Sequence, residues 1–317
     1  STLKAVTYIT ALNELGKDYE FTTALYKNTD NELIIKLGAD PFLTNRNLRD
    51  ILETAKNKGI IEPKAIKFDD TVLDRTEWGE GWQWDDDLNP LMPKFSSYNI
   101  DKNMLIISVD SVRTGAPAEL RLKEFYPLTL MNLVTAGKDT KIKVSRNNSI
   151  SPDIVKLEGT VDGHTEINIP VNYPRRYFIM RLSDAIRSRK IQYYGNFTST
   201  VLPQKNVYLV DKVTNPIELA TNEVMQNSNN MVAETVFKLA GGHFSNSTGS
   251  IENAIKMFYK HCKDIDVKTD DIRIADGSGV SKNNIVTADF MTDFLIKQSN
   301  NNKDYRRIFA KPGQGTL

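Results

Sequence analysis

The sequence predicts an α+β protein whose outer, mixed domain is interrupted by a large β-rich insertion. Three observations lead there. Helical periodicity occupies both ends of the 317-residue chain, short β-type runs fill its middle, and the two ends resemble each other more than either resembles the middle. The length suits about two domains with sizeable cores.

At the start, Leu3, Val6, Ile9, Leu12 and Leu15 recur near the 3.6-residue period and Gly16 ends the run, which predicts a helix over 3–15. Extended sequence follows to residue 26. Residues 27–214 hold the runs Glu32–Leu37, Ala65–Val72, Met104–Val109, Thr140–Val144, Asp153–Leu157 and Glu166–Val171, which alternate in polarity or are β-branched between Asn, Asp, Gly and Pro. Helices are expected from Leu48 to Lys58, stopped by Gly59, and from Pro174 to about Lys190. Beyond Asn215 the helical pattern returns. Asn215-Pro216 reads as a cap and first turn, Asn227 or Ser228 as the cap of a helix ended by Gly241-Gly242, and further helices fit Ser250–Lys263 and Thr287–Lys297.

Composition removes several functions. The 41 Lys+Arg against 40 Asp+Glu, net +1, argue against a protein held to nucleic acid by bulk charge. No apolar run approaches the ~18 residues of a membrane span. The single Cys262 excludes a disulfide framework and any CxxC motif, and His164, His243 and His261 lack zinc-site spacing, so neither a metal nor a cofactor is expected. The uncapped helix at residue 1 and the Gly/Pro-rich stretch from Ala310 to Leu317 lead to the expectation of further sequence on both sides.

Three short motifs carry chemistry. Ser1-Thr2-Leu3-Lys4 puts a hydroxyl and an amine one helical turn apart. A serine hydroxyl attacks only when a base takes its proton, and a lysine serves if burial disfavours its charged form. Ser228-Asn229-Asn230 offers a second hydroxyl and an amide at a helix start. Asp276-Gly277-Ser278-Gly279-Val280-Ser281-Lys282-Asn283-Asn284 carries alternate glycines, the mark of left-handed backbone or close chain approach. Taken singly, each has an ordinary reading: a cap beside a solvated lysine, an N-cap, and a polar turn.

In this order the motifs resemble the S-x-x-K and S-x-N signatures of penicillin-binding proteins and serine β-lactamases. Further blocks point to the D-alanyl-D-alanine carboxypeptidase/endopeptidase branch, the class C low-molecular-mass penicillin-binding proteins. They are Leu12…Leu15-Gly16 with Phe21-Thr22-Thr23, Leu37-Gly38-Ala39-Asp40-Pro41-Phe42-Leu43-Thr44, Gly81-Trp82-Gln83-Trp84-Asp85-Asp86, Ser228-Asn229-Asn230-Met231-Val232-Ala233-Glu234 and Asp276-Gly277-Ser278-Gly279-Val280-Ser281. The resemblance covers nearly the whole chain.

The resemblance implies a transpeptidase-like catalytic domain at 1–26 and 215–317, with some strands of its sheet expected outside the given chain. It implies an inserted accessory domain at 27–97 and 164–214 and a nested β-rich subdomain at 98–163. It makes Ser1 the acylated nucleophile and Lys4 its base. Ser228 becomes a proton shuttle and Asn230 a holder of the substrate amide. Asp86, flanked by Asp85 and Asp87, contacts the free amine of a peptidoglycan stem peptide, and Ser278 and Lys282 are further substrate-binding positions. The implied activity is acyl transfer on stem peptides, with β-lactams as pseudo-substrates and a periplasmic or extracytoplasmic location. It leaves carboxypeptidase and endopeptidase action unseparated and homo-oligomerisation open.

Two features depart from the pattern. The third signature, Lys-Thr-Gly, is absent from the sequence. Lys311-Pro312-Gly313 is not its equivalent, because a proline removes an N–H that such a strand needs, so the motif is expected beyond Leu317. Lys282 stands where the branch usually has arginine, which weakens a bidentate carboxylate contact. Competing readings are a catalytically incomplete relative with a structural role, a hydrolase using the amine of Ser1 as its base, and a binding module built on the β-rich middle.

Overall fold

The structure, a computed structural model, describes residues 2–146, 151–301, 303–313 and 315. Its helices are α1 (Leu3–Leu15), α2 (Asn45–Asn57), α3 (Pro174–Ser188), α4 (Ile217–Met225), α5 (Asn230–Ser245), α6 (Ile251–Asp264) and α7 (Ala288–Asn301). Its strands are β1 (Glu20–Asn28), β2 (Glu32–Lys36), β3 (Ala65–Asp69), β4 (Met104–Asp110), β5 (Glu119–Leu122), β6 (Thr129–Ala136), β7 (Lys141–Arg146), β8 (Ile154–Val161), β9 (His164–Pro170), β10 (Phe197–Ser199) and β11 (Val207–Pro216). The chain is α+β, as the sequence predicts.

Two compact units emerge. The first comprises Ser1–Trp82, Phe95–Lys102 and Arg181–Leu317, the second Gln83–Lys94 and Asn103–Met180. The domain boundaries expected at 26/27 and 214/215 fall inside β1 and β11. These strands pair antiparallel from Glu20↔Pro216 to Asn28↔Val207, so a cut there would break one ladder. The expected nested segment 98–163 overlaps the second unit, which extends to Met180 and takes in Gln83–Lys94.

The first unit contains a five-stranded sheet in the order β10-β3-β2-β1-β11. Its centre is apolar: Leu33, Ile34 and Ile35 of β2 and Phe68 of β3 are all at most 1% exposed. Asn215 closes β11 rather than capping a helix, and its amide donates to Asp40 Oδ2 at 2.7 Å. Pro216 is the cap of helix α4, which therefore starts one residue later than the sequence suggested, at Ile217.

Helices α1 and α5 form the core. An amphipathic helix buries one stripe, but α1 buries Leu3, Lys4, Val6, Thr7, Tyr8, Ile9, Thr10 and Ala11, nearly its whole circumference. Of the threonines among them, Thr10 returns its hydroxyl to the helix, donating from Oγ1 to Val6 O at 2.9 Å. Helix α5 is buried continuously from Asn230 to Gly242. It does not stop at Gly241-Gly242, as the sequence suggested. A Cβ on Gly241 would lie 2.6 Å from Ala254 Cα, so that glycine admits α6 against α5 instead of ending the helix. The terminator is Asn246, left-handed at φ 48°.

The second unit holds two three-stranded sheets, β5-β4-β9 and β6-β8-β7. Its core includes Ile107, Val155, Leu157 and, from α3, Phe178. Among the described residues no helix is long and apolar enough to cross a membrane.

Candidate active site

The site grows from the first turn of α1. Ser1, the expected nucleophile, lies outside the described residues. Thr2 already has helical backbone angles, φ −63° and ψ −27°. Lys4 is only 4% exposed and donates from Nζ to the main-chain carbonyl of Ser278 at 2.7 Å. Burial pulls its pKa down from 10.5 to about 8, and the carboxylates of Glu234 and Asp276 pull the other way. Desolvation is the largest of these effects, and the amine donates to a neutral carbonyl.

That carbonyl is held by two buried carboxylates. Glu234, one helical turn into α5, accepts the N–H of Gly277 at 3.1 Å and of Ser278 at 2.7 Å. Asp276 accepts Trp82 Nε1 at 2.8 Å, the Ser278 hydroxyl at 3.2 Å and Asn284 Nδ2 at 2.7 Å. It also accepts the N–H groups of Gly279, Val280 and Ser281 at 2.8, 3.1 and 2.7 Å. Thr7 of α1 donates to Gly277 O at 2.6 Å. The 276–281 loop is thus tied to α1 through carbonyls and to α5 through N–H groups. Its two glycines answer the two expectations separately: Gly279 is left-handed at φ 70°, and a Cβ on Gly277 would lie 2.7 Å from Phe237 Cβ.

Glu234 is fully buried, and desolvation first, then the Asp276 charge, raises its pKa to about 7. Farther along α5, Lys238 donates to Asp74 Oδ1 at 2.6 Å and lies 5.2 Å from the Phe95 ring centroid.

Ser228 enters from the loop before α5. Its φ of 55° is left-handed, which costs a non-glycine residue about 1 kcal/mol. The hydrogen bonds of the next residue hold it there. The N–H of Asn229 donates to Glu223 O at 2.9 Å and its amide to Glu223 Oε2 at 3.1 Å, while its side-chain oxygen caps Val232 N at 3.1 Å. Asn229, and not Asn227 or Ser228, is therefore the N-cap of α5, which leaves the Ser228 hydroxyl out of the capping role. Ser228 and Lys4 line one cavity of about 360 Å³ with Thr2, Ala5, Met291 and Phe309. Asn230 opens α5 and is 6% exposed.

The remaining expected positions are placed differently. The Ser278 side chain is completely buried and donates to Asp276 Oδ2, while its carbonyl accepts Lys4 Nζ. Lys282 is exposed. Asp86 lies in the second unit, half-buried in a 3₁₀ turn over Trp84–Leu88. Its neighbour Asp87 is engaged by Arg146 at 3.0 Å, an arginine whose side chain is 1% exposed. Of the sequence-chosen residues, then, the structure brings together Lys4, Ser228 and the Ser278 backbone. The sequence reading missed Glu234, Asp276 and Trp82 as supports, although all three stood inside quoted motifs. A carboxylate four residues after Asn230 on the same helix face was the available signal.

The architecture belongs to a known class. Compared with solved structures, the chain matches penicillin binding protein 4 from Haemophilus influenzae with a TM-score of 0.84 and 21% identity, over 100% of this chain and 74% of that one. A second structure of that protein, described as complexed with a novel β-lactam, matches with a TM-score of 0.77 and 19% identity over 100% and 73%. The fold is therefore that of a penicillin-binding protein. The chain belongs to the D-Ala-D-Ala carboxypeptidase 3 (S13) family, which matches residues 1–313. A curated relative, D-alanyl-D-alanine carboxypeptidase DacB of Haemophilus influenzae, is 21% identical over 309 residues, 93% of this chain, and the chain spans 64% of that relative's length.

Proposed function

We propose that the protein is a serine DD-peptidase acting on the D-alanyl-D-alanine end or cross-bridge of peptidoglycan stem peptides through an ester on Ser1. The observation that carries this reading is Lys4: a buried amine with pKa near 8, hydrogen-bonded to a carbonyl and lining one cavity with Ser228. With a pKa of 8, roughly a tenth of such amines are neutral at pH 7, against about one in three thousand at 10.5. Family membership supports the same chemistry.

The Ser1 hydroxyl attacks the carbonyl of the penultimate D-alanine as its proton passes to the neutral Lys4 amine. Backbone N–H groups stabilise the tetrahedral oxyanion. The C–N bond then breaks, and the departing D-alanine nitrogen takes a proton relayed through the Ser228 hydroxyl. Water hydrolyses the ester. Asn230 holds the substrate amide, Asp86 attracts the free amine of the stem peptide, and Lys282 contributes positive charge toward a carboxylate. Ser278 contributes its carbonyl to Lys4. β-Lactams acylate the same serine and leave slowly, and the substrate places the enzyme outside the cytoplasm.

Intact-protein mass after benzylpenicillin, measured on the protein that carries this chain, tests the reading. One penicilloyl adduct on the wild type and none on Ser1→Ala supports it. No adduct on the wild type, or an adduct that persists in Ser1→Ala, removes it.

A further inference from the structure

A chain of main-chain contacts runs from α5 to Lys4. Glu234 accepts two consecutive N–H groups, those of Gly277 and Ser278, and the carbonyl of Ser278 accepts the Lys4 ammonium. A glutamate buried to 0% exposure would ordinarily be paired with a cation, because an isolated buried charge is costly. Here it accepts main-chain N–H groups of the peptide units leading to the Lys4 acceptor, and the Ser278 hydroxyl acts on it as well.

We propose that Glu234 is the positioning residue of the general base: its carboxylate fixes the Gly277–Ser278 peptides so that the Ser278 carbonyl receives Lys4, and its negative charge sets how readily Lys4 gives up its proton. This rests on the reading of Lys4 as the base of a serine acyl-transfer site.

The surrounding charges are few. Asp276, on the loop itself, acts on both Glu234 and Lys4. Lys238, on α5, feels Glu234, and is answered by Asp74 and Glu77. Glu223 of α4 is paired with Lys102 at 2.9 Å. On α7, Asp293 lies 3.5 Å from Lys297 and Asp289 is exposed. Glu234 heads the charges acting on Lys4, and it opposes the desolvation that lowers the amine's pKa. Removing its charge therefore makes Lys4 easier to deprotonate, while removing its length loosens the carbonyl.

Two variants separate these effects. Glu234→Gln keeps the size, removes the charge and leaves one acceptor oxygen for the two N–H groups; Glu234→Asp keeps the charge and both acceptors and shortens the reach. The Lys4 amine is titrated by ¹³C NMR with lysine labelled at Cε, and benzylpenicillin acylation is followed across pH. Expected for Glu234→Gln is a Lys4 titration at least half a pH unit lower, with the alkaline-rising limb of acylation moved by the same amount. For Glu234→Asp, the titration stays near wild type while the plateau rate falls about tenfold.

If Glu234→Gln does not fold, the reciprocal measurement decides. Linkage requires Lys4→Met to move the titration of the Glu234 carboxyl, read by ¹³Cδ, upward by a matching amount. An unchanged Lys4 titration in folded Glu234→Gln, or an unchanged Glu234 titration in Lys4→Met, overturns the proposal. The NMR readouts stand apart from catalysis. A wild-type protein that penicillin fails to acylate removes the peptidase reading, while the titrations still decide whether Glu234 governs Lys4.

Discussion

The indole N–H of Trp82 donates to Asp276 Oδ2 at 2.8 Å, joining residues 194 positions apart in the sequence. Each stands inside a separate block of the sequence, the tryptophan box and the Asp-Gly-Ser-Gly loop. Trp82 is 7% exposed and packs edge-on against Trp78, with ring centroids 4.9 Å apart, and Phe95 at 5.8 Å. Asp276 otherwise accepts from the loop's own N–H groups, the Ser278 hydroxyl and the Asn284 amide. The indole is the outside anchor that fixes the carboxylate on which the loop is wound.

Trp82→Phe keeps most of the ring packing and removes that donor. A hydrogen bond to a charged acceptor is worth ~1.5–3 kcal/mol, so unfolding stability falls by about 2 kcal/mol. Chemical denaturation read by far-UV circular dichroism checks this, and an unchanged midpoint would show the bond to be dispensable.

The proposed role of Lys4 as base predicts a pH profile. Lys4 must be neutral to accept a proton, and its pKa is about 8, so acylation by benzylpenicillin rises with pH and reaches half its plateau near pH 8. Lys4→Met loses ~10²–10⁴-fold in the acylation rate constant and loses this limb. Stopped-flow or mass-resolved kinetics from pH 6 to 10 measure both.

Glu234 also leaves a mark on stability. Its carboxyl titrates near 7 when folded, against an ordinary value of 4.5 in the unfolded chain. Between these values the folded state binds more protons, so wild-type stability falls as pH rises from about 4.5 to about 7. Glutamine cannot titrate. The melting temperature of Glu234→Gln should therefore gain on the wild type across that window and hold a constant difference above it. Paired thermal melts at several pH values test the slope.

Ser228→Gly relieves a left-handed residue but makes the unfolded chain more flexible, and the two effects nearly cancel. Its stability stays within about 0.5 kcal/mol of wild type, while loss of the hydroxyl slows turnover of a D-alanyl-D-alanine peptide ~10²-fold. Release of D-alanine and a denaturation curve on the same sample separate the two outcomes.

Gly241→Ala runs against helix propensity. In an exposed helix the change gains about 1 kcal/mol, but here the new methyl would meet Ala254 Cα at 2.6 Å. Overpacking at the α5–α6 contact should cost ~1–3 kcal/mol net, seen as a lower melting temperature.

Much of this was legible from one-dimensional pattern. Helix α1 was placed to the residue because Leu3, Val6, Ile9, Leu12 and Leu15 keep the period and Gly16 breaks it. β2 and β4 were read from dense apolar or alternating runs. β6 escaped because most of its residues are exposed, and β11 because polar residues at 211, 212, 214 and 215 interrupt its pattern. Gly241 was misread because a helix-breaking residue and a close-packing residue look identical until the partner helix is known. Lys4 and Ser228, which line one cavity, were visible as motif. Their supports were not, because a carboxylate that serves backbone N–H groups leaves no spacing rule behind.

The acceptor of the Lys4 ammonium is a peptide oxygen. Codon changes replace side chains; they leave that atom where it is. Drift at position 278 can alter the hydroxyl but never delete the oxygen that Lys4 uses. Substitutions that change this amine's surroundings therefore act through what grips the loop, and variation in its reactivity should gather at the anchors rather than at the point of contact.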